Sequence, residues 1–293
     1  DAFSRVVRLG EGLAQTGRLS QAAMDRAVGA LKICSDKLRK RNVHLARSVA
    51  TEACRRAENG GEFIARVARE TGILLDIISA EEEARLAVMG CHVLLEKGPG
   101  PAVIFDIGGG STELVLIDSP GHANGGEPAM PRIVDWASVP WGVVSLSETV
   151  GAEVDEAAAR AARYAEMRRL VAESFTAFGG RLGKVHQPEL RLLGTSGTVT
   201  TLASLHLGLP QYDRQAVDGL IVPAGDMRAI STRLSGMSPT ERRQLACIGN
   251  ERADLVVAGC AILEAILDIW PAARLGVADR GIREGILRSL MAP

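Results

Sequence analysis

Apolar and polar residues follow one another along the chain in blocks that have either a helical or a strand period. Between Ser20 and Arg39, apolar residues recur every three or four positions behind a serine that can cap the first turn, and this predicts an amphipathic helix. Further blocks predict strands at 44–50, 74–78 and 102–107 and helices at 62–70 and 80–96. Strands that alternate with helices indicate an α/β layer architecture.

The segment 118–131 breaks this order, because it is rich in glycine and proline and has no hydrophobic period. We place a domain boundary there. Beyond it, helices are predicted at 155–178, 198–206, 225–234 and 252–270, and strands at 133–139, 190–193 and 274–277. We therefore expect one domain over 1–117 and a second over 118–280, with a last helix at 281–293 that packs back on the first.

The composition is that of a globular protein. The 293 residues are 46% hydrophobic and 24% charged, and this length suits two domains better than one. No apolar run is long enough to span a bilayer and no signal peptide is visible. The five cysteines contain no C-x-x-C pair and are expected to be reduced, buried thiols. We predict a cytoplasmic protein without a membrane partner.

The charges almost cancel. With 34 Lys and Arg against 35 Asp and Glu, the net charge is −1, so no overall field attracts nucleic acid or anionic lipid. We expect no nucleic-acid partner. Any polyanion must instead be bound by a local cluster of arginines.

A glycine-rich turn carries the clearest chemistry, in the string Asp106-Ile107-Gly108-Gly109-Gly110-Ser111-Thr112-Glu113. Three glycines between two strands open backbone conformations closed to other residues, and they let main-chain N–H groups approach a phosphate without a Cβ in the way. Asp106 can hold magnesium, directly or through water, and Ser111 can donate its hydroxyl to a phosphate oxygen. Glu113 projects to the same side as Ser111, although it could also be a charge on an exposed strand face. A plain hairpin is the alternative, but it needs fewer glycines and no flanking acids.

The string from Val103 to Leu116 resembles the second phosphate motif of the exopolyphosphatase/guanosine pentaphosphatase (Ppx/GppA) family, in the actin, sugar kinase and heat-shock chaperone superfamily. Four further segments match in the family's order, at 49–55, 78–86, 193–198 and 279–285. The resemblance thus spans nearly the whole chain. It implies an α/β fold of two actin-like domains with a cleft between them.

The same resemblance implies site residues outside the glycine turn. Glu83 matches the catalytic glutamate that polarises the attacking water, and Glu113 matches an active-site carboxylate. The alternative for Glu83 is an acid that only complements a helix dipole behind the Ser79 cap. Arg55 matches an arginine that binds substrate phosphate, where a guanidinium can bind two oxygens at once; the alternative is a solvated arginine on a polar loop.

A second glycine turn, Gly194-Thr195-Ser196-Gly197-Thr198, follows a predicted strand and opens a helix. Free N–H groups at such a helix start bind anions, and by resemblance this is a phosphate loop that faces the first one across the cleft. An ordinary turn with a threonine cap is the alternative. Near the carboxyl terminus, Arg280 is a candidate substrate contact, while Arg283 and Glu284 are expected to form a structural ion pair.

The resemblance implies a Mg²⁺-dependent phosphohydrolase that releases orthophosphate from inorganic polyphosphate or from guanosine pentaphosphate, and the sequence leaves the choice between these substrates open. It also allows a homodimer. A non-catalytic sensor of polyphosphorylated ligands and a small-molecule kinase are the alternatives. The superfamily's first phosphate loop is not found in this chain, which enters the family pattern near Val7–Gly12 and begins at Asp1, and we expect that loop upstream.

Overall fold

A computed structural model describes residues 3–98, 100–119, 130–152, 155–182 and 190–291. The chain divides into two compact units. The first contains Asp1–Glu83 and Ser289–Pro293, and the second contains Ala84–Arg288. The predicted α/β class is confirmed, since each unit combines a β-sheet with helices.

The first unit is built on a small parallel sheet. Its elements are α1 (Leu13–Thr16), α2 (Gln21–Lys40), β1 (Ser48–Ala50), α3 (Glu52–Arg56), α4 (Gly60–Thr71), β2 (Leu75–Ile77) and the start of α5 (Ala80–Cys91). Strand β1 pairs with β2 in parallel, with Ser48 opposite Leu75. Apolar residues of α2 and α4, among them Val28 and Phe63, form the core. The Ser20 hydroxyl accepts the N–H of Ala23 at 3.2 Å, which confirms the predicted cap.

The second unit is built on a six-stranded sheet in the order β5-β4-β3-β6-β8-β7. Strands β3, β6 and β8 are parallel. Strand β4 pairs antiparallel with β3, β5 pairs antiparallel with β4, and β7 pairs antiparallel with β8. The strands are β3 (Gly100–Ile107), β4 (Thr112–Ser119), β5 (Arg132–Val139), β6 (Arg191–Thr195), β7 (Ile221–Pro223) and β8 (Arg274–Ala278). The helices are α6 (Val143–Val150), α7 (Ala157–Leu182), α8 (Gly197–His206), α9 (Arg214–Val217), α10 (Ala224–Gly236), α11 (Pro239–Arg243), α12 (Gly249–Arg252), α13 (Val256–Ile269) and α14 (Ile282–Met291).

Helices cover both faces of this sheet. Side chains alternate along β3, so that Phe105 packs with α7, α8 and α13 in the larger core, while Ile104 faces Val88 of α5 on the other side. On that second face α5 also meets α14 at very short range. A Cβ on Gly90 would lie 2.0 Å from the carbonyl oxygen of Gly281, and one on Gly285 would lie 2.0 Å from that of Leu86. Glycine is required where the two backbones approach this closely.

The predicted domain boundary at 117/118 is wrong. Strands β4 and β5, which flank the glycine- and proline-rich segment, pair antiparallel in one sheet, so the segment connects two neighbouring strands rather than two domains. Residues 120–129 lie outside the described part of the chain. The units divide instead within α5, after Glu83, and α14 belongs to the second unit up to Arg288.

Most predicted helices and strands lie within a few residues of the observed ones. The predicted strand at 44–50 is shorter, because residues 44–46 are exposed and unpaired with any described strand. The predicted helix at 252–270 is divided into α12 and α13, and α6 was missed. All five cysteines are free thiols, although Cys34 and Cys247 are only half-buried. Among the residues that the structure describes, no helix has the length and apolar character required to cross a bilayer.

Candidate active site

Four polar residues lie side by side on one rung of the six-stranded sheet. Ser138 of β5 is opposite Glu113 of β4, Glu113 is opposite Asp106 of β3, and Asp106 is opposite Thr195 of β6. Residues that are directly opposite one another project to the same face of a sheet. The sheet therefore brings together side chains from both predicted phosphate loops and both predicted magnesium ligands.

The two carboxylates of this rung form a concentrated negative site. Glu113 is buried, and its Oε1 accepts the hydroxyls of Ser111 at 2.7 Å and Ser138 at 2.9 Å. Burial and then the charge of Glu113 raise the pKa of Asp106 to about 7. A bound cation would offset this repulsion between like charges.

The oxygen ligands available at this rung suit magnesium. Mg²⁺ prefers carboxylate oxygens and is usually held by one or two carboxylates, with waters and substrate phosphates completing its octahedron. Asp106 and Glu113 supply that number. No group of three or more His, Cys, Asp or Glu residues that could hold a metal ion occurs in the described ranges.

Hydrogen bonds from the amino terminus of α6 hold the first glycine turn in place. The N–H groups of Val143 and Val144 donate to the carbonyls of Gly108 at 3.0 Å and Gly109 at 2.9 Å. These are donors at the amino terminus of α6, so the positive end of that helix dipole points at the turn. The positive potential favours a bound anion there.

Gly142 makes this anchoring possible, although sequence analysis did not identify it. A Cβ on Gly142 would lie 2.4 Å from the carbonyl carbon of Gly109 and 2.5 Å from the nitrogen of Gly110. Only glycine lets the backbone before α6 lie directly against the peptide bond of the turn. Gly142 therefore sets how closely the glycine turn lies to the start of α6.

The first two glycines of this turn have ordinary backbone conformations, since neither Gly108 nor Gly109 adopts positive φ. A Cβ on Gly108 would lie 3.0 Å from the carbonyl oxygen of Ser111, whereas one on Gly109 would make only an ordinary contact of 3.8 Å with Val144. The hydroxyl of Ser111 donates to Glu113, and its predicted bond to a phosphate oxygen stays a prediction. Glu113 is buried and not on an exposed face.

The second glycine turn lies beside the first. It was predicted to face the first turn from the opposite domain, but β3 and β6 are neighbouring parallel strands of one sheet, and both turns follow the carboxyl ends of these strands. The carboxyl edge of a parallel sheet is where ligands bind in α/β proteins. The two turns can therefore act on adjacent parts of one ligand.

Ser196 is the strained residue of the second turn. Its φ of 110° lies outside the regions that residues with a Cβ normally adopt. Its Oγ is buried and has no hydrogen-bond partner among the residues described. Buried hydroxyls without a partner are rare, and this one stands at the start of α8, where free N–H groups bind anions.

Arg252 is a second site residue that sequence analysis missed. The guanidinium lies over Gly197, with Nη1 3.3 Å from the position of a Cβ there, and Nη1 donates to Thr201 Oγ1 at 3.3 Å. A guanidinium and a helix amino terminus both attract anions. Together they make this end of β6 a positive site next to the carboxylates of β3 and β4.

Two residues of the predicted second loop are structural. Gly194 is buried within β6, where a Cβ would lie 2.6 Å from the ring of Phe105. Thr198 is buried against Gly259 of α13, so its side chain faces the interior and not a ligand. Thr195 donates its hydroxyl to the carbonyl of Arg280 at 2.8 Å and so fixes the turn after β8.

The Arg280 side chain is held at this turn by Asp218. Its Nε donates to Asp218 Oδ2 at 2.7 Å, and Asp218 Oδ1 accepts the N–H of Asp279 at 3.0 Å. Glu284 pairs with Arg214 and not with the predicted Arg283. Glu284 accepts Arg214 and the N–H of Gly281, each at 2.9 Å, while Arg283 is exposed.

Glu83 and Arg55 form a partly buried ion pair in the first unit. Arg55 Nη1 lies 3.1 Å from Glu83 Oε2 and donates to the carbonyl of Ile78 at 2.8 Å, while Nη2 lies 2.6 Å from Glu52. Burial alone would lower the pKa of Arg55, but the bond to Glu52 and the charge of Glu83 outweigh it and raise that pKa. The Glu83 side chain is only 7% exposed. It is therefore more than an acid that complements a helix dipole from solvent.

The capping predicted at the start of α5 is confirmed. The Ser79 hydroxyl accepts the N–H of Glu82 at 3.1 Å, and the Glu82 carboxylate pairs with Arg47 at 3.2 Å. Glu82 thus has a structural partner of its own. Of the three consecutive acids Glu81, Glu82 and Glu83, the fold therefore buries Glu83 beside Arg55.

Comparison with known proteins finds relatives that match the chain over nearly its whole length. The chain is 30% identical to exopolyphosphatase 2 of Mycobacterium tuberculosis over 305 aligned positions, which cover 98% of this chain and 88% of the relative. Among solved structures, an exopolyphosphatase-like protein superposes with a TM-score of 0.84 at 27% identity, covering 98% of this chain and 89% of the other. The Ppx/GppA protein of Aquifex aeolicus superposes with a TM-score of 0.73 at 29% identity, covering 98% and 87%.

These likenesses confirm the predicted α/β fold class and show that the chain has the fold of solved Ppx/GppA proteins. Residues 3–292 match the sequence model of the Ppx/GppA phosphatase family. The match covers both units and every residue discussed above. The chain therefore belongs to the Ppx/GppA phosphatase family.

Proposed function

We propose that this protein is a Mg²⁺-dependent phosphohydrolase that releases terminal orthophosphate from inorganic polyphosphate. The observation that supports this most directly is the rung on which a carboxylate pair, Asp106 and Glu113, stands next to a positive loop at Ser196 and Gly197. The carboxylate pair can hold a magnesium ion, and the positive loop can bind a phosphate group. Relatives named exopolyphosphatases supply the substrate class.

In the proposed reaction, water attacks the terminal phosphorus while the anhydride P–O bond breaks, and the shortened chain leaves with the electron pair. Magnesium held by Asp106 and Glu113 would neutralise charge on the phosphate oxygens. The glycine turn and Arg252 bind and orient the phosphates, because phosphoryl transfer depends mainly on positioning and charge stabilisation. Glu83 accepts a hydrogen bond from the attacking water and takes up its proton, and Arg55 fixes the orientation of that carboxylate.

The proposal is tested by measuring orthophosphate release from long-chain polyphosphate with magnesium present. We expect release by the wild type and a loss of at least about 100-fold in kcat for Glu83→Gln, with polyphosphate binding retained. Glu81→Gln is the matched control, since Glu81 lies two residues away in the same helical turn and is exposed. It should keep full activity.

Three other outcomes would each change the proposal. A wild-type protein that binds polyphosphate but never releases phosphate would be a sensor. Equal losses from both glutamate variants would remove the special role of Glu83. Release from guanosine pentaphosphate, measured in parallel, would show whether the same site accepts a phosphate chain with a nucleoside end.

A further inference from the structure

A basic pocket lies in the first unit, away from the Arg55–Glu83 pair. Its volume is about 600 Å³, within the range of small-ligand sites. The residues that line it come from the end of α2, the chain entering β1, the end of α4 and the chain entering β2, and they include Arg39, His44, Arg69 and Glu70.

The pocket and the Arg55–Glu83 pair are at opposite edges of the two-stranded sheet. Because β1 and β2 are parallel, both strands begin at one edge and end at the other. The pocket residues precede the strands, whereas Arg55 follows β1 and Glu83 follows β2. A ligand in the pocket would therefore occupy a site separate from that pair.

The pocket borders the most basic stretch of the chain. Residues 37–47, KLRKRNVHLAR, contain five Lys or Arg and no acid, in a protein whose net charge is −1. Arg39 and His44 of this stretch line the pocket, and Arg69 joins them from α4. The acid among the lining residues, Glu70, is bound by Lys32 at 2.9 Å and Arg66 at 2.7 Å.

The carboxyl ends of two helices offset only part of this positive charge. The carboxyl ends of α2 and α4 both point here, and each is equivalent to roughly half a negative charge. Asp36 lies 3.9 Å from Arg39, but both side chains are more than 60% exposed, so the pair contributes little. Together these groups carry about two negative charges, against five Lys and Arg side chains in residues 37–47 and a further one at Arg69. A net positive surface remains.

We propose that this basic pocket is a second anchoring site for inorganic polyphosphate, and this inference rests on the proposed function for its substrate. The basic stretch extends along the chain beyond the pocket, which suits an anion whose charges are spread along its length better than a compact one. Anchoring one part of a long chain raises the effective concentration of the rest. Long chains should therefore bind more tightly than short ones.

The test is the double variant Arg39→Ala/Arg69→Ala, with Arg233→Ala/Arg243→Ala as the matched control, since those two arginines are equally exposed in the second unit. Binding of fluorescently labelled long-chain polyphosphate is followed by anisotropy, with excess tripolyphosphate present to fill the catalytic site. We expect the pocket variant to lose about 2-fold to 30-fold in affinity, and the control to lose less than 2-fold. Unchanged melting temperatures show that both variants are folded.

Kinetics separate this proposal from the proposed function. The pocket variant should have a raised KM for long-chain polyphosphate and wild-type kcat and KM for tripolyphosphate. Anisotropy alone still tests the pocket if no substrate is hydrolysed, so failure of the enzymatic proposal would be visible as a separate result. Equal affinity of the variant and the wild type for long-chain polyphosphate would overturn the anchoring site. So would displacement of the labelled chain at a lower concentration of GTP than of unlabelled polyphosphate.

Discussion

Replacing Gly142 by alanine should damage the active site through a single methyl group. The new Cβ would lie 2.4 Å from the carbonyl carbon of Gly109 and 2.5 Å from both its oxygen and the nitrogen of Gly110. Non-bonded carbon atoms approach to about 3.5 Å at closest. The glycine turn and the backbone before α6 must therefore separate by roughly 1 Å.

The cost of this separation can be estimated in two ways. Overpacking a tight contact typically destabilises a protein by about 1–3 kcal/mol, and for a unit of this size that lowers the melting temperature by roughly 2 to 12 °C. A misplacement of about 1 Å at a catalytic group can cost about 100-fold in rate. We expect Gly142→Ala to lose more activity than its stability loss explains.

The assay is magnesium-dependent phosphate release, measured well below the melting temperature of the variant. Gly225→Ala is the control, because Gly225 lies in α10 of the same unit and a Cβ there meets no atom within 4 Å. It should keep both its activity and its melting temperature. Wild-type kcat/KM in Gly142→Ala would refute the reasoning, since the turn would then hold its position without this contact.

Three further predictions concern the second unit. Asp106→Asn should abolish turnover yet raise the melting temperature of the metal-free protein, because it removes a buried charge that faces Glu113; a lower melting temperature would contradict this. Arg252→Ala should raise KM about tenfold in steady-state kinetics with a smaller change in kcat, and an unchanged KM would remove Arg252 from the site. Gly285→Ala should destabilise the protein by about 1–3 kcal/mol in chemical denaturation, because its Cβ would lie 2.0 Å from the carbonyl oxygen of Leu86; full stability would show that α5 and α14 can separate freely.

Local patterns in the sequence predicted local structure well. The periodic stripe behind Ser20 predicted α2, and the apolar run before Asp106 predicted β3, because both depend on spacings within one element. The domain boundary failed because glycine and proline are equally abundant in linkers and in connections between strands. Only the pairing of β4 with β5 distinguishes the two, and pairing is not a local property.

The site residues divide in the same way. Asp106, Ser111 and Glu113 were found because a strand, a turn and a strand keep them close along the chain. Gly142 and Arg252 were missed because each acts on a turn that is distant in sequence, and a lone glycine or arginine gives no local signal. The position of the second turn beside the first depended on β3 and β6 being neighbours, which no residue in either strand specifies.

The order of strands explains why a metal ion and a phosphate would bind together. Strand β3 ends at a carboxylate that already faces another, and β6 ends at a helix start covered by a guanidinium. Bound alone, a phosphate would lie near the negative pair, and a magnesium ion would lie near the positive end of α8. Bound together, each ion neutralises the field that disfavours the other. We therefore expect magnesium and phosphate to raise each other's affinity, by the same factor in either order as linkage requires. Calorimetric titrations of each ion with and without the other measure this factor, and a factor of one would show that the two ions do not share a site.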